Sequence, residues 1–404
     1  MDARKTLMTG NSEFWAVSIA SLFRSFGIGA AWPFFSIYFS DVYNVPVFYI
    51  GLIFTASAVL SIVINLAGGA LGDFFGRRSA IMVGSVYGIA AYAALAFLTY
   101  SGGFLVITIT VFIISSASGA LIFPASSALV ADVTTEAERR RAYSLYRVVS
   151  NIGWAAGPLA GALLYDSGMW ILLSMLTVTA IIQLAMTALY IQEHRHSNGE
   201  RMTRKNFMAF DRNLIIFSSG TLFMTIVSSQ FLVTLPIFAV NSVHIPSFSI
   251  GYIFAVNGLV VIIGQGPLTR LFRRYSDLTM MLAGVVAYSI GYLSVGFSRD
   301  LTDLLLSMVV ITIGEDLVSP PLSTLIARVA PPGKLARYMA FNSMMNQTAR
   351  AIGPSIGSFF LSIYAYNGLE SWGSIASFGI VSVFILILFG VHLRRDYNAA
   401  APSP

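Results

Sequence analysis

Two adjacent carboxylates, Glu315 and Asp316, lie thirteen or so residues from either end of an apolar run at about 302–327. At that depth in a nonpolar segment an acid is placed for proton chemistry. Low dielectric and a like-charged neighbour both favour the protonated carboxyl, the condition for a group that takes up and releases protons near neutral pH. Adjacent helical residues point roughly 100° apart, so only one of the pair can face an aqueous cavity squarely. Glu315, in line with Ser319 and Leu322, is the first choice of proton carrier, with Asp316 as the other candidate. Arg350, at similar depth in a later run, opens an alternative: it could neutralise one acid permanently as a structural salt bridge.

Arg24 is a second charge inside an apolar run. It follows Glu13 by eleven residues, roughly 16 Å of helix, which a guanidinium can only partly span by snorkelling. Intramembrane charge is costly and points by default to a functional site, so Arg24 is expected to face a cavity and contact substrate, with a structural ion pair as the alternative. Gln230, Asn257, Asn346 and Gln347, also at depth, could orient a substrate or simply join helices by hydrogen bonds. Trp32, Phe35 and Tyr38 could form an apolar cavity wall or face lipid.

Other chemistries find no support in the sequence. There is no cysteine, which excludes disulfides, thiolate metal sites and cysteine nucleophiles. His194, His196, His244 and His392 form no metal-ligand spacing, no Gly-Lys-Ser or Gly-Lys-Thr phosphate loop exists, and no Ser, His and Asp arrangement is evident. No catalytic residue, metal or cofactor is expected. The chain is not expected to be an enzyme, and its energy source would be a proton gradient.

The elements that must carry these groups are membrane helices. Hydrophobic residues make up 56% of the 404 and charged residues 10%, and the mean hydropathy is +0.76, far outside the range of soluble domains. The net charge of +6 could suggest nucleic acid, but the basic residues sit in loops between apolar runs and form no binding module. A bilayer core of roughly 30 Å needs about 20 apolar residues of helix. Twelve runs qualify: about 14–40, 47–71, 79–100, 104–131, 143–165, 169–191, 213–241, 248–269, 277–297, 302–327, 338–364 and 372–393. Met1 to Gly10 lack the apolar core of a signal peptide, so the first run is expected to be retained.

An even number of spans puts both termini on one side. Arg4 and Lys5, Arg77 and Arg78, Arg139 to Arg141, Arg195 to Arg212, Arg270 to Arg274, Arg328 to Arg337, and Arg394 with Arg395 all fall on one face, while the opposite loops carry only Arg299. The positive-inside rule therefore predicts a multi-pass protein of the cell membrane with both termini cytoplasmic. The longest polar stretch divides the twelve into six and six, giving a first bundle at 1–191, a cytoplasmic linker at 192–212 and a second bundle at 213–404. A shift of 196 positions superposes Pro124-Ala125-Ser126-Ser127 on Pro320-Pro321-Leu322-Ser323, and Gly157-Pro158 on Gly353-Pro354. Two six-helix repeats in the same orientation form a parallel-repeat transporter architecture, with a substrate cavity between them.

The stretch Gly69-Ala70-Leu71-Gly72-Asp73-Phe74-Phe75-Gly76-Arg77-Arg78 joins the second and third runs. It resembles the loop between the second and third helices of the major facilitator superfamily, with Phe74 where the family usually has Arg. The resemblance extends over the whole chain and implies an all-α fold of twelve transmembrane helices in two six-helix pseudo-repeats. It also implies a gate: Asp73 would face the eleventh helix, and Arg77 would pair with Asp132 at the end of the fourth. The corresponding places in the second half hold Arg270 and Arg328, which cannot form that opposite-charge latch, so an asymmetric gate built from Gly69, Asp73, Gly76, Arg77, Arg78 and Asp132 is expected. The bland alternative is that the turn only sets topology.

Gly153-Trp154-Ala155-Ala156-Gly157-Pro158-Leu159-Ala160-Gly161 resembles the fifth-helix motif of the drug:proton antiporter branch. Small residues at this spacing permit close helix packing, and Pro158 removes a backbone hydrogen bond and would bend the helix where the halves meet. A purely structural kink is the alternative, because Gly353-Pro354 repeats part of the motif. The branch usually carries an Arg in mid-helix four, where this chain has Ser115; Arg24 ahead of Pro33 in helix one is similar to an arrangement in some efflux members.

The resemblance and the buried acids together imply a monomeric alternating-access transporter, with proton-coupled efflux of small, partly hydrophobic compounds as the leading function. A proton-coupled symporter or exchanger of an organic anion, clamped by Arg24 and Arg350, is the rival. A non-transporting receptor or lipid-translocating protein is the alternative of another class. The partners are a small-molecule substrate and the lipid bilayer.

Overall fold

A computed structural model describes residues 11–193, 211–331 and 334–400; within these, the side chains of 66–75, 137, 140, 336 and 394–400 are not described. Gly69 and Asp73 therefore lie outside the described side chains, as does most of the expected linker. Among the described residues the chain is helical. Helices α1 (Ser12–Asp41), α2 (Val47–Phe75), α3 (Arg77–Tyr100), α4 (Leu105–Asp132), α5 (Glu136–Tyr165) and α6 (Met169–Tyr190) come first. After the linker come α7 (Arg212–Ser228), α8 (Thr234–Asn241), α9 (Ile250–Leu271), α10 (Asp277–Val295), α11 (Leu301–Val329), α12 (Leu335–Ile363) and α13 (Gly368–Ala400). Among the described residues ten helical stretches are long and apolar enough to cross a membrane. Helices α11 and α12, at 29 residues each, are as long and carry most of the polar candidates. Only structures that satisfy every backbone group internally survive in hydrocarbon, which is why runs of this length become helices.

The seventh expected run, 213–241, is not one helix. Helix α7 stops at Ser228, a single 3₁₀ turn covers Ser229–Phe231, and α8 restarts at Thr234. Pro236 explains the restart, because in a continuous helix its ring would collide with the carbonyl four residues earlier and leave it without a donor. Near the start of a new helix a proline carries little such cost. Gln230, fully buried, fills the break: its Nε2 donates to the Ile226 carbonyl at 2.7 Å and to the Gly353 carbonyl at 3.0 Å, and Thr234 donates to its Oε1. Its amide is thus engaged in holding a broken helix to α12.

The chain forms two compact units, one of residues 1–43 and 56–201 and the other of 44–55 and 202–404. The start of α2 is thereby counted with the second unit, although chain order places it in the first bundle. Thr55 donates to the Ala351 carbonyl at 2.7 Å, and a Cβ at Gly51 would lie 2.7 Å from the Pro354 carbonyl oxygen, so this segment packs closely on α12.

In the first unit α1 and α5 meet backbone to backbone. A Cβ at Gly157 would sit 2.5 Å from the Phe26 carbonyl oxygen, and Gly153 and Gly161 meet the Leu22 and Ala30 carbonyls in the same way. The glycine stripe is therefore an α1 packing surface, and Pro158 lies within the continuous helix α5. Gly157→Val should lower stability by about 1–3 kcal/mol or prevent folding, whereas Gly119→Ala, whose Cβ meets nothing within 4 Å, should be tolerated. Monodisperse yield and thermal unfolding in detergent would separate the two. The aromatics of α1 also differ from expectation: Phe35 is fully buried and Tyr38 nearly so. Trp32 and Phe35 pack on Phe112 of α4 at 5.2 and 4.5 Å. They form bundle core, because edge and tilted ring contacts with a neighbouring helix outweigh facing lipid.

Candidate functional site

Helix α11 carries both acids against α9. Thr312 donates its proton to the Met308 carbonyl at 2.8 Å, leaving its oxygen to accept from Asn257 Nδ2 at 3.0 Å. The same Nδ2 donates to Glu315 Oε2 at 3.1 Å. Glu315, half-buried, is thus tethered to α9 by an amide. Asp316 is 1% exposed, and its Oδ2 is buried without a hydrogen-bond partner. That oxygen lies 2.9 Å from where a Cβ of Gly264 would be, two turns along α9 from Asn257. The absent side chain at 264 lets the carboxyl reach the α9 backbone. An ionised carboxylate so placed would be strongly destabilised, so this geometry suits the neutral acid.

The other groups sort differently from expectation. Arg350 is exposed on α12 and forms no ion pair with Glu315 or Asp316, so the permanent salt bridge is absent. Tyr288 of α10 is buried and packs against Gly314, the residue before Glu315. It stacks on Tyr292 at 6.2 Å, which in turn stacks on Trp372 at 5.8 Å. Asn346 belongs to an α7–α12 network, its Nδ2 donating to Asn342 Oδ1 at 2.8 Å and its Oδ1 accepting from Thr225. Gln347 is exposed and, among the described residues, hydrogen-bonds Ser343 alone. Arg24, expected to face a cavity and contact substrate, lines a small cavity within the first unit. Gly264 had no sequence signal beyond its two-turn spacing from Asn257 on α9, and Tyr288, on a different helix from the acids, had none; both emerge only once the helices are paired.

Of the residues expected to form a gate, Gly76, Arg77, Arg78 and Asp132 lie in a second cluster, at the end of the first bundle where its basic loops lie. Arg77 pairs with Asp132 at 3.6 Å, both side chains largely buried. Gly76, at φ +98°, opens α3 without a capping side chain. Glu193, just past α6, supplies the cap: its carboxylate accepts from the Arg78 N–H at 3.2 Å and from the N–H and hydroxyl of Ser79 at 3.1 and 2.6 Å. Arg78 Nη2 reaches the Ala188 carbonyl at 2.9 Å, and Glu13 accepts from the Gln192 N–H at 2.8 Å. An anion at a helix N-terminus satisfies free N–H groups and the macrodipole together. Gly76→Ala would force a side chain into a positive-φ backbone and into the Glu193 carboxylate. We expect it to lower stability by about 1–3 kcal/mol, and Glu193→Ala by about 1 kcal/mol, both measurable as shifts in thermal unfolding.

The second half departs from the expected asymmetry. Arg328 pairs with Asp277 at 2.9 Å. Asp277 opens α10 as Arg77 opens α3, and Arg328 closes α11 as Asp132 closes α4. The latch recurs with its charges exchanged. The expectation failed because Arg270 was compared with the gate loop, while the acid that matters lies seven residues on, inside the next helix.

These helices and acids can be set beside known proteins. The sequence profile of the Major Facilitator Superfamily matches residues 17–354 and 217–403. An uncharacterized MFS-type transporter, YqjV of Bacillus subtilis, is 26% identical over 368 residues, covering 87% of this chain and 86% of the relative. The multidrug resistance protein MdtH of Aeromonas hydrophila is 25% identical over 396 residues, covering 96% of each, and a Na(+), Li(+), K(+)/H(+) antiporter of Planococcus maritimus is 22% identical over 422 residues, covering 95% and 94%. Among solved structures, a peptide transporter POT in complex with sulfate superposes with a TM-score of 0.78 at 15% identity, covering 97% and 96%. A mutant form of the nucleoside transporter NupG gives 0.73 at 14%, covering 93% and 99%. With its profile spanning nearly the whole helical chain and its fold shared at these scores, this multi-pass membrane protein belongs to the Major Facilitator Superfamily, a family of transporters and not of enzymes.

Proposed function

We propose that the chain is a monomeric, proton-coupled efflux antiporter of the cell membrane for small, partly hydrophobic compounds, with both termini cytoplasmic. The observation that carries this reading is Asp316, an almost fully buried acid on a membrane helix with one oxygen lacking a partner. A neutral Asp316 is compatible with the dry contact at Gly264, whereas an ionised one is driven toward water or a cation. Protonation would thereby bias the packing of α9 on α11. Glu315, anchored by Asn257, would supply the negative charge at the mouth of the site. A proton arriving from outside and a substrate arriving from the cytoplasm or inner leaflet would favour opposite-facing states, which is the thermodynamic requirement for exchange. The MdtH and cation/H(+) antiporter relatives support this reading.

Arg350 favours a second reading, exchange or symport of an organic anion, because it is exposed and free of any acid among the described residues. Proteoliposomes carrying an internal pH dye decide between the two. Substrate-triggered proton movement on adding lipophilic cations supports antiport of cations. Movement on adding organic anions, lost in Arg350→Gln, supports the second reading. If no compound moves protons, proton coupling is refuted.

A further inference from the structure

The cavity around Arg24 lies wholly within the first unit and has a chemistry of its own. It is lined by α1, α3, α4 and α6, with Arg24, Ser85, Tyr92, Ser118, Thr179 and Gln183 as its polar groups. It leaves about 10 Å³ for the centre of a small molecule, the room that one water needs. No carboxylate lines it, and Arg24 forms no ion pair among the described residues. Its Nε is buried without a partner.

The hydrogen-bond inventory decides what such a space suits. Ser85, Ser118 and Thr179 each donate their single proton to a carbonyl of the bundle, those of Ile81, Gly84 and Leu176, at 2.7, 2.9 and 2.7 Å. Those hydroxyls are spent as donors. Gln183 is 2% exposed and its side chain makes no hydrogen bond among the described residues, so its amide N–H groups remain available beside those of Arg24. The site thus combines a net positive charge, unused N–H donors and the volume of one small particle. Arg24 is half-buried with its Nε enclosed, and a guanidinium so placed in a membrane helix favours a compensating negative charge.

We propose that this cavity is a structural binding site for a monatomic anion, chloride or bromide, held by the Arg24 guanidinium and the Gln183 amide. A halide is a single small particle that accepts hydrogen bonds and donates none, whereas sulfate and organic carboxylates are too large. The site would lock the four helices of the first bundle together and would take no part in substrate binding.

Thermal unfolding of the purified protein, titrated with chloride, bromide, sulfate or gluconate at constant ionic strength, tests this. The expected result is a saturable rise in unfolding temperature with chloride and bromide alone, lost in Arg24→Gln. Should Arg24→Gln fail to fold, Gly119→Val, which fills the cavity while keeping the charge, and Gln183→Leu should lose the halide response, and bromide anomalous diffraction should place the ion beside Arg24 in the wild type. Equal unfolding in chloride and gluconate, as expected if water alone fills the site, overturns the proposal. So does a halide response that survives in Arg24→Gln or in both replacement variants.

Discussion

Asp316→Asn is expected to abolish substrate-driven proton movement in proteoliposomes while leaving the protein folded. Asn has nearly the shape of the protonated acid, so the contact with Gly264 survives, but it cannot release a proton. The variant should therefore be held in the state that the neutral acid favours, and proton flux should fall to the background of empty vesicles. Glu315→Gln should behave differently. Glu315 is half-buried and already accepts from Asn257, so a neutral amide there should weaken apparent affinity for cationic substrates and leave proton release at Asp316 in place. Full coupling in Asp316→Asn would refute its role as carrier. A loss of flux confined to Glu315→Gln would move the carrier back to the residue that helical position alone favours. Gly264→Leu offers an independent arm, because its side chain would occupy the position of the Asp316 carboxyl; coupling should be lost with the acid intact.

Breaking the Arg77–Asp132 pair should cost far more than breaking its counterpart. The side chains of Arg77 and Asp132 are 20% and 13% exposed, those of Arg328 and Asp277 63% and 29%. Loosening a largely buried pair removes compensation from a charge held away from bulk water and is costly, whereas an exposed pair is worth about 0–1 kcal/mol. Asp132→Ala should thus lower stability severely and Arg328→Ala hardly at all. Equal effects of Asp132→Ala and Arg328→Ala on thermal unfolding would show that burial does not set the strength of these latches.

The helix dipole adds a reason for the exchanged polarity. An acid is favoured at a helix N-terminus and a base at a C-terminus, the arrangement of Asp277 on α10 and Arg328 on α11. The first bundle places a base at the start of α3 and an acid at the end of α4, against both dipoles. Glu193 resolves half of that conflict by bringing a carboxylate to the α3 N-terminus from beyond α6. Position 77 is thereby free to carry a base.

The apolar runs of the sequence determined the membrane helices, the broken run at 213–241 excepted, because a bilayer leaves a twenty-residue apolar run little other way to satisfy its backbone. The sequence also determined the depth of Glu315 and Asp316, which follows from counting along a helix of constant rise. Azimuth and partners were decided by the fold. That Asp316 is sheltered by Gly264 while Glu315 is tied to Asn257 depends on the register of α9 against α11. That Arg24 lines a cavity of its own bundle depends on how α1 packs among α3, α4 and α6, and that Gln230 fills a break depends on where α12 passes it. Nor does any local pattern pair Asp277 with Arg328 or Glu193 with α3. A hydrogen bond or an ion pair is set by a few ångströms between helices, and sequence spacing carries no measure of that distance until the helices are packed.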